Sequence, residues 1–374
     1  MTFKSIADIS ETKGDPRHFQ PSDEFALPFN KVGVEIEVEH PPNTEELVSK
    51  GLWQAVRENS LREVKGRRPI ELITLPLFGE DLLNAFTHLD EAFKEGEAQF
   101  SARTSVHVHI EVVDMEKEDL IKLLLLYTSL ERILFHHCGA DRADNLYCLP
   151  YYKADHFKTL LYQVFDALTE EDTHNAQSVI YNWPKYSALN LRRIADLGTI
   201  EFRQHHGTAD SKKILTWIKM LLCIKRYAIE GVKDIHDFPN LVSGFAADEY
   251  LTDIFGVDLA HHLVYPGVAD DLIKGVRTAQ DVLVYAGLDN LAERLLNENI
   301  YGTKTSSFAA IHNIPFDAQE FLRIENHQTT RIEGFNPNRR PRNRNLGDIV
   351  MPGTPRYNVG GAYAFTTATT TTGD

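Results

Sequence analysis

The chain has 374 residues, 43% of them hydrophobic and 25% charged, with a formal net charge of −15. That is a globular composition with apolar material for one large core or two smaller ones, and its acidity argues against nucleic acid or an anionic membrane as partner of the bulk surface. Three cysteines (Cys138, Cys148, Cys223) are too few for a disulfide framework, and Met1 to Asp15 lacks the apolar run of a signal peptide, so a soluble, cytoplasmic protein is expected.

Residues 1–31 are polar, carry the turn formers Gly14, Pro16, Pro21 and Pro28, and read as a lead segment. From Gly33 to Glu39 β-branched and acidic residues alternate with the period of a strand. Val34, Ile36 and Val38 share one face; Glu35, Glu37 and Glu39 line the other, with neighbouring carboxylates about 7 Å apart. Such a face is either a solvated outer edge or a place for a divalent cation, which takes carboxylate oxygens. Pro41 and Pro42 end the strand, and Thr44 to Asn59 predicts a helix with Thr44 as N-cap and Glu45 and Glu46 in the first turn. Pro69 to Phe78 reads as extended. Glu80 to Glu95 reads as a helix with Leu82, Leu83, Phe86, Leu89 and Phe93 on its buried side.

A second alternating strand runs from Ser105 to Val112, with Val106, Val108 and Ile110 on one face and His107, His109 and Glu111 on the other. Two histidines at i and i+2 reach one pocket, as metal ligands or as donors to phosphate. Lys117 to Cys138 predicts a long helix capped by Gly139; Lys122, Glu131 and Arg132 interrupt its apolar run, which marks a core helix rather than a membrane span. Further strands are expected over Ala188–Arg192 and Thr199–His205. In the latter, Glu201, Arg203 and His205 alternate with Ile200, Phe202 and Gln204. A guanidinium beside a carboxylate is either a cross-strand ion pair or a fork of donors for phosphate. Ser211 to Glu230 predicts a helix stopped by Gly231, and residues 236–300 are mainly helical, including Asp270–Ala286 and Asp289–Asn299. The tail from 331 holds five arginines and one glutamate by residue 344, a local charge of +4, before a Thr-rich end. It is expected to dock on the chain's own acidic body or on a partner. His136-His137-Cys138 lacks the spacing of a zinc site, and the loop Tyr151–Lys153 is read as core or surface before a substrate lid.

Taken in order, Gly33–Glu37, Glu71-Leu72-Ile73-Thr74-Leu75-Pro76-Leu77, Ser105–His109, Tyr186–Leu191 and Thr199–Thr208 resemble the motifs of amidoligases, within the glutamine-synthetase-like carboxylate–amine ligases. The resemblance spans about residues 32 to 230. It implies an α+β fold over residues 32–235: a curved antiparallel sheet backed by helices, with ATP and two or three Mg²⁺ ions (or Mn²⁺) on its inner face. Residues 236–330 would form a helical region packed on it, and 331–374 an extended tail.

By the same resemblance, Glu35, Glu37, Glu71 and Glu201 would hold the metals, His107 would contact a metal or the γ-phosphate, and His109 would contact the nucleotide. Arg203 would stabilise the transferring phosphoryl group, while Lys185 and Asn190 would meet substrate or phosphate. Glu201, Arg203 and His107 would then be the catalytic set. The implied reaction makes an acyl phosphate from a carboxylate and ATP, and an amine displaces phosphate to give an amide. Substrates would be an amine and a carboxylate, small or carried on a peptide or protein, and a homo-oligomer is left open. The family has glycine where this chain has Ser105, whose side chain would crowd the nucleotide. Two other readings stand beside this one: a non-catalytic relative serving as an interaction or structural protein, and a metal-dependent phosphotransferase or hydrolase.

Overall fold

The computed structural model describes residues 5–10, 31–94, 98–169, 173–238 and 247–285. Among them, β1 (Val32–Val38), β2 (Trp53–Arg57), β3 (Ile70–Thr74), β4 (Ser105–Glu111), β5 (Leu189–Asn190) and β6 (Thr199–His206) form one sheet in the order β2-β3-β1-β4-β6-β5. Every pairing is antiparallel. The helices are α1 (Glu45–Ser49), α2 (Gly79–Phe93), α3 (Lys117–Cys138), α4 (His156–Thr169), α5 (Thr173–Tyr181) and α6 (Arg193–Leu197). They continue as α7 (Ser211–Arg226), α8 (Ala247–Phe255), α9 (Val257–Ala260) and α10 (Val268–Tyr285). The expected α+β class holds. No helix among the described residues is long and apolar enough to cross a membrane.

Alternation explains the layering. Val34, Ile36 and Val38 of β1 and Val106, Val108 and Ile110 of β4 are fully buried in one core that also takes Leu82, Phe86 and Leu89 of α2. Helix α3 is buried almost all round, because α10 lies along it and β6 and α7 pack against it. Two of its three charged interruptions are hydrogen-bonded internally. Lys122 donates to the Val232 carbonyl at 2.7 Å, and Glu131 accepts from Tyr127 Oη at 2.9 Å and from the Tyr151 and Tyr152 backbone N–H groups at 2.9 and 3.1 Å. Gly139, at φ +111, ends the helix as the sequence implies.

Several expectations fail for local reasons. Only the first third of the helix expected over Thr44–Asn59 forms. Gly51 turns the chain at φ +80, and Trp53 is drawn into the core with its Nε1 on the Ala85 carbonyl at 2.9 Å. The following residues pair with β3 as an edge strand, exposed beyond Trp53 and so without an alternating signal. The strand expected over Ala188–Arg192 shrinks to two residues before α6. Helices α4 and α5 are buried elements that no expectation named. Ile6 and Ile9 of the lead segment sit in the core, with Ile6 N–H on the Met115 carbonyl at 2.9 Å, so this part is no mere polar lead. The expected helix α7 gives way after Arg226 to a π-turn at Tyr227–Gly231. The helix expected over Asp289–Asn299 and the arginine-rich tail lie outside the described residues.

The most consequential departure is a β-bulge. Val108 pairs with Phe202 but Val106 pairs with His205, so β6 spends one extra residue there. The added residue reverses the phase of the strand. His205 leaves the face of Glu201 and Arg203 and enters the helical layer, 2% exposed and near Trp217 and His137.

Two outcomes are expected. Gly275 of α10 lies so near α3 that a Cβ would fall on the Ser129 carbonyl, so Gly275→Ala should cost about 3 kcal/mol, read as a lowered melting temperature. Burial pushes His205 down to about 3 and His137 to about 4, from 6.5 in the open chain. Their contribution to stability is therefore complete above pH 6.5 and drains as pH falls towards 4 and then 3. Burial pushes Glu131 up to about 7, so its contribution runs the other way and is lost as pH rises through 7. Melting temperature should fall on acidification, most clearly below 4.5 where Glu131 no longer offsets the histidines, and the fall should be shallower in His205→Phe, with no alkaline limb from Glu131.

Candidate active site

The registers decide which side chains meet. Glu37 of β1 stands opposite Glu71 of β3, and Glu35 opposite His107 of β4. His109 stands opposite Glu201 of β6, which in turn faces Asn190 of β5. Five strands thus deliver a continuous row of polar groups to the face away from the apolar core.

The row is tightly bonded. His107 Nδ1 lies 2.9 Å from Glu35 Oε2 and 3.6 Å from Glu201 Oε1, while its Nε2 lies 2.7 Å from Ser105 Oγ. His109 Nε2 is 3.2 Å from Glu35 Oε1, and its Nδ1 is 3.2 Å from Thr199 Oγ1. Glu201 is held on both oxygens: Asn190 Nδ2 donates to Oε2 at 2.8 Å, and Arg203 Nη1 donates to Oε1. Arg193 Nε approaches Oε2 at 3.9 Å, and Arg203 Nε donates to the Tyr147 carbonyl at 3.3 Å. Glu37 Oε2 accepts from Ser105 N–H at 2.8 Å and from Ser105 Oγ at 2.7 Å. Two overlapping sets of ligand atoms result, each spanning no more than 4.8 Å: Glu35, His107 and Glu201, and Glu37, Glu71 and His107.

The electrostatics follow from burial against charge. Burial alone would raise Glu35, but hydrogen bonds to His107 and His109 hold its carboxyl well below the usual range. Glu201 is also lowered against the effect of burial, by Arg203 and then by the two imidazoles. Burial opposes the charge on His109, yet the bond to Glu35 raises it. At Glu71 the Arg203 guanidinium is outweighed. Burial, with the carboxylates of Glu35, Glu37 and Glu58 adding to it, pushes it up to about 8.

Glu35, Glu37, Glu71, His107, His109, Asn190, Glu201 and Arg203 are therefore brought together. Lys185 is not joined to them by any contact among the described residues. It stands exposed before β5 with its ammonium 4.6 Å from the centre of the Tyr186 ring. Glu39, expected on the same face as Glu35 and Glu37, is buried just past β1 and belongs to neither ligand set. Ser105, Thr199 and Arg193 were not picked out as members of the site. Ser105 at least carries a signal, since it is in phase with His107 and His109. Its side chain turns onto Glu37 and His107 and is 4% exposed. His136 stacks on Tyr265, and His137 packs near Trp217. A cleft of about 510 Å³ bordered by α1 and α2, lined by His40, Lys50, Arg67 and His88 among others, shares none of the site's side chains.

The site's motifs also match a known family. The model of the family described as "putative amidoligase enzyme" matches residues 48–225, from within α1 into α7, and leaves Glu35 and Glu37 on the strand just before it. No curated protein matches the chain. The matched segment, which carries Glu71, His107, His109, Asn190, Glu201 and Arg203, is similar to the amidoligase family.

Proposed function

We propose that the chain is an ATP- and Mg²⁺-dependent ligase that joins a carboxylate to an amine through an acyl phosphate, on a glutamine-synthetase-like sheet. The observation that carries this reading is the pair of ligand sets sharing His107, set beside the guanidinium of Arg203. The donors fit the metal. Four carboxylates and one imidazole make a hard, mostly oxygen set suited to Mg²⁺ or Mn²⁺. Burial first, and then the neighbouring carboxylates, raise the carboxyl of Glu71, and a divalent cation there would favour its charged form.

Ions held by Glu35, Glu37, Glu71, Glu201 and His107 would draw charge from the phosphate oxygens of the nucleotide. The chain's own groups then have distinct tasks. Arg203, anchored through Nε on the Tyr147 carbonyl, presents its remaining donors where negative charge develops on the phosphoryl group. Asn190 fixes one oxygen of Glu201 and so orients the carboxylate as a ligand. His109, steadied by Thr199 and Glu35, is the residue assigned to the nucleotide. Lys185 would serve an anionic substrate from the exposed loop, and the acceptor amine and donor carboxylate would approach from that open side.

Mg-ATP at about 100 times its dissociation constant should stabilise the wild type by roughly 2.7 kcal/mol, a shift of a few degrees in a thermal melt. EDTA should remove that shift and Glu201→Gln should abolish it; a wild type that melts identically with and without Mg-ATP would sink the proposal. Arg203→Ala should keep most of the nucleotide-induced shift while slowing ADP release about 100-fold or more. Arg203→Lys should not restore the rate, because an ammonium lacks the planar fork. Equal rates in wild type and Arg203→Ala would remove Arg203 from the chemistry.

A further inference from the structure

Ser105 stands at the junction of the two ligand sets. Its backbone N–H and its Oγ both address Glu37 Oε2, at 2.8 and 2.7 Å, and the same Oγ lies 2.7 Å from His107 Nε2. The other ring nitrogen, Nδ1, faces Glu35 and Glu201. The imidazole therefore presents a different nitrogen to each side, and Ser105 is what ties the Nε2 side to a carboxylate. A hydroxyl has one proton to give and two lone pairs to receive with. With Nδ1 as the ligand nitrogen towards Glu35 and Glu201, Nε2–H donates to Oγ and Oγ–H donates to Glu37, so one side chain fixes both a ring plane and a carboxylate rotamer.

A serine used only to start a strand needs one partner once buried. This one makes two side-chain contacts, both to members of the Glu37, Glu71, His107 set, and its backbone adds a third bond to Glu37. Groups that orient metal ligands from behind are commonly worth 10–100-fold in metal affinity.

We propose that Ser105 is a positioning residue that locks Glu37 and His107 together, so that the two ligand sets load metal as a coupled pair. The proposal rests on the metal-binding reading of this face.

The test is calorimetric titration of the full chain with Mn²⁺ alone, alongside melting in EDTA, for wild type, Ser105→Ala, Ser105→Gly and Ser105→Thr. Ser105→Ala should melt within a few degrees of wild type in EDTA yet bind Mn²⁺ 10–100-fold more weakly. Ser105→Gly, which keeps the backbone N–H and removes the hydroxyl without adding bulk, should show the same loss. Ser105→Thr should recover most of the affinity. If Ser105→Ala and Ser105→Gly bind Mn²⁺ as wild type does, whatever their melting temperatures, the positioning role is wrong and the metal reading survives. If the wild type itself takes up no Mn²⁺, the metal reading fails and this proposal falls with it.

Discussion

Because β1 runs between β3 and β4 with Glu37 opposite Glu71 and Glu35 opposite His107, carboxylates and an imidazole from three strands share one surface. A slip of one residue in either pairing would turn them onto the helices and put valines in their place. What holds the register is the other face. Val34, Ile36, Val38, Val106, Val108 and Ile110 are buried completely, at about 1.5–3 kcal/mol each. Repulsion between neighbouring carboxylates, about 1–4 kcal/mol per close pair, is too small to undo that. The apolar face thus forces together charges that would otherwise separate, and the strain shows at Glu71, whose carboxyl is pushed up to about 8.

Support for the row comes from the helical layer as well. Glu131 in α3 takes three hydrogen bonds and so anchors Tyr127 and the turn at Tyr151–Lys153. Tyr151 in turn donates its hydroxyl to the Leu189 carbonyl at 2.7 Å, one residue before the Asn190 that grips Glu201. A carboxyl so enclosed gains nothing from water and depends on every one of those donors. The geometry of the polar face at β5, a strand of only two residues, is in this way borrowed from a long helix behind it.

Much of this was legible in the sequence where periodicity was clean. Alternation located β1, β4 and β6, the lengths of α2 and α3 were close to those found, and the ordered Glu, His-x-His and Glu-x-Arg segments pointed to one face. Legibility failed where a single side chain outweighed local pattern. Trp53 turned the second part of an expected helix into an edge strand, and exposed Gln54, Ala55, Val56 and Arg57 left no period to read. The reach of Ser105 needed the third dimension, since its partner Glu37 lies 68 residues away in sequence. Lys185 shows the opposite case: it is near Asn190 in the chain, while its side chain lies on Tyr186.

The bulge in β6 works on the strand as an inserted letter works on a reading frame. Upstream of it, odd-numbered residues speak to the chemical face and even-numbered ones to the core; downstream the assignment is exchanged, so His205 is read as packing. One strand can therefore serve two masters without a loop between them. Substitution tolerance along β6 should accordingly change phase partway: polarity is demanded at 201 and 203, and shape and neutrality at 205. A one-residue deletion in the bulge would do more harm than a bulky replacement at either end, because it would mistranslate the second half of the strand rather than a single position.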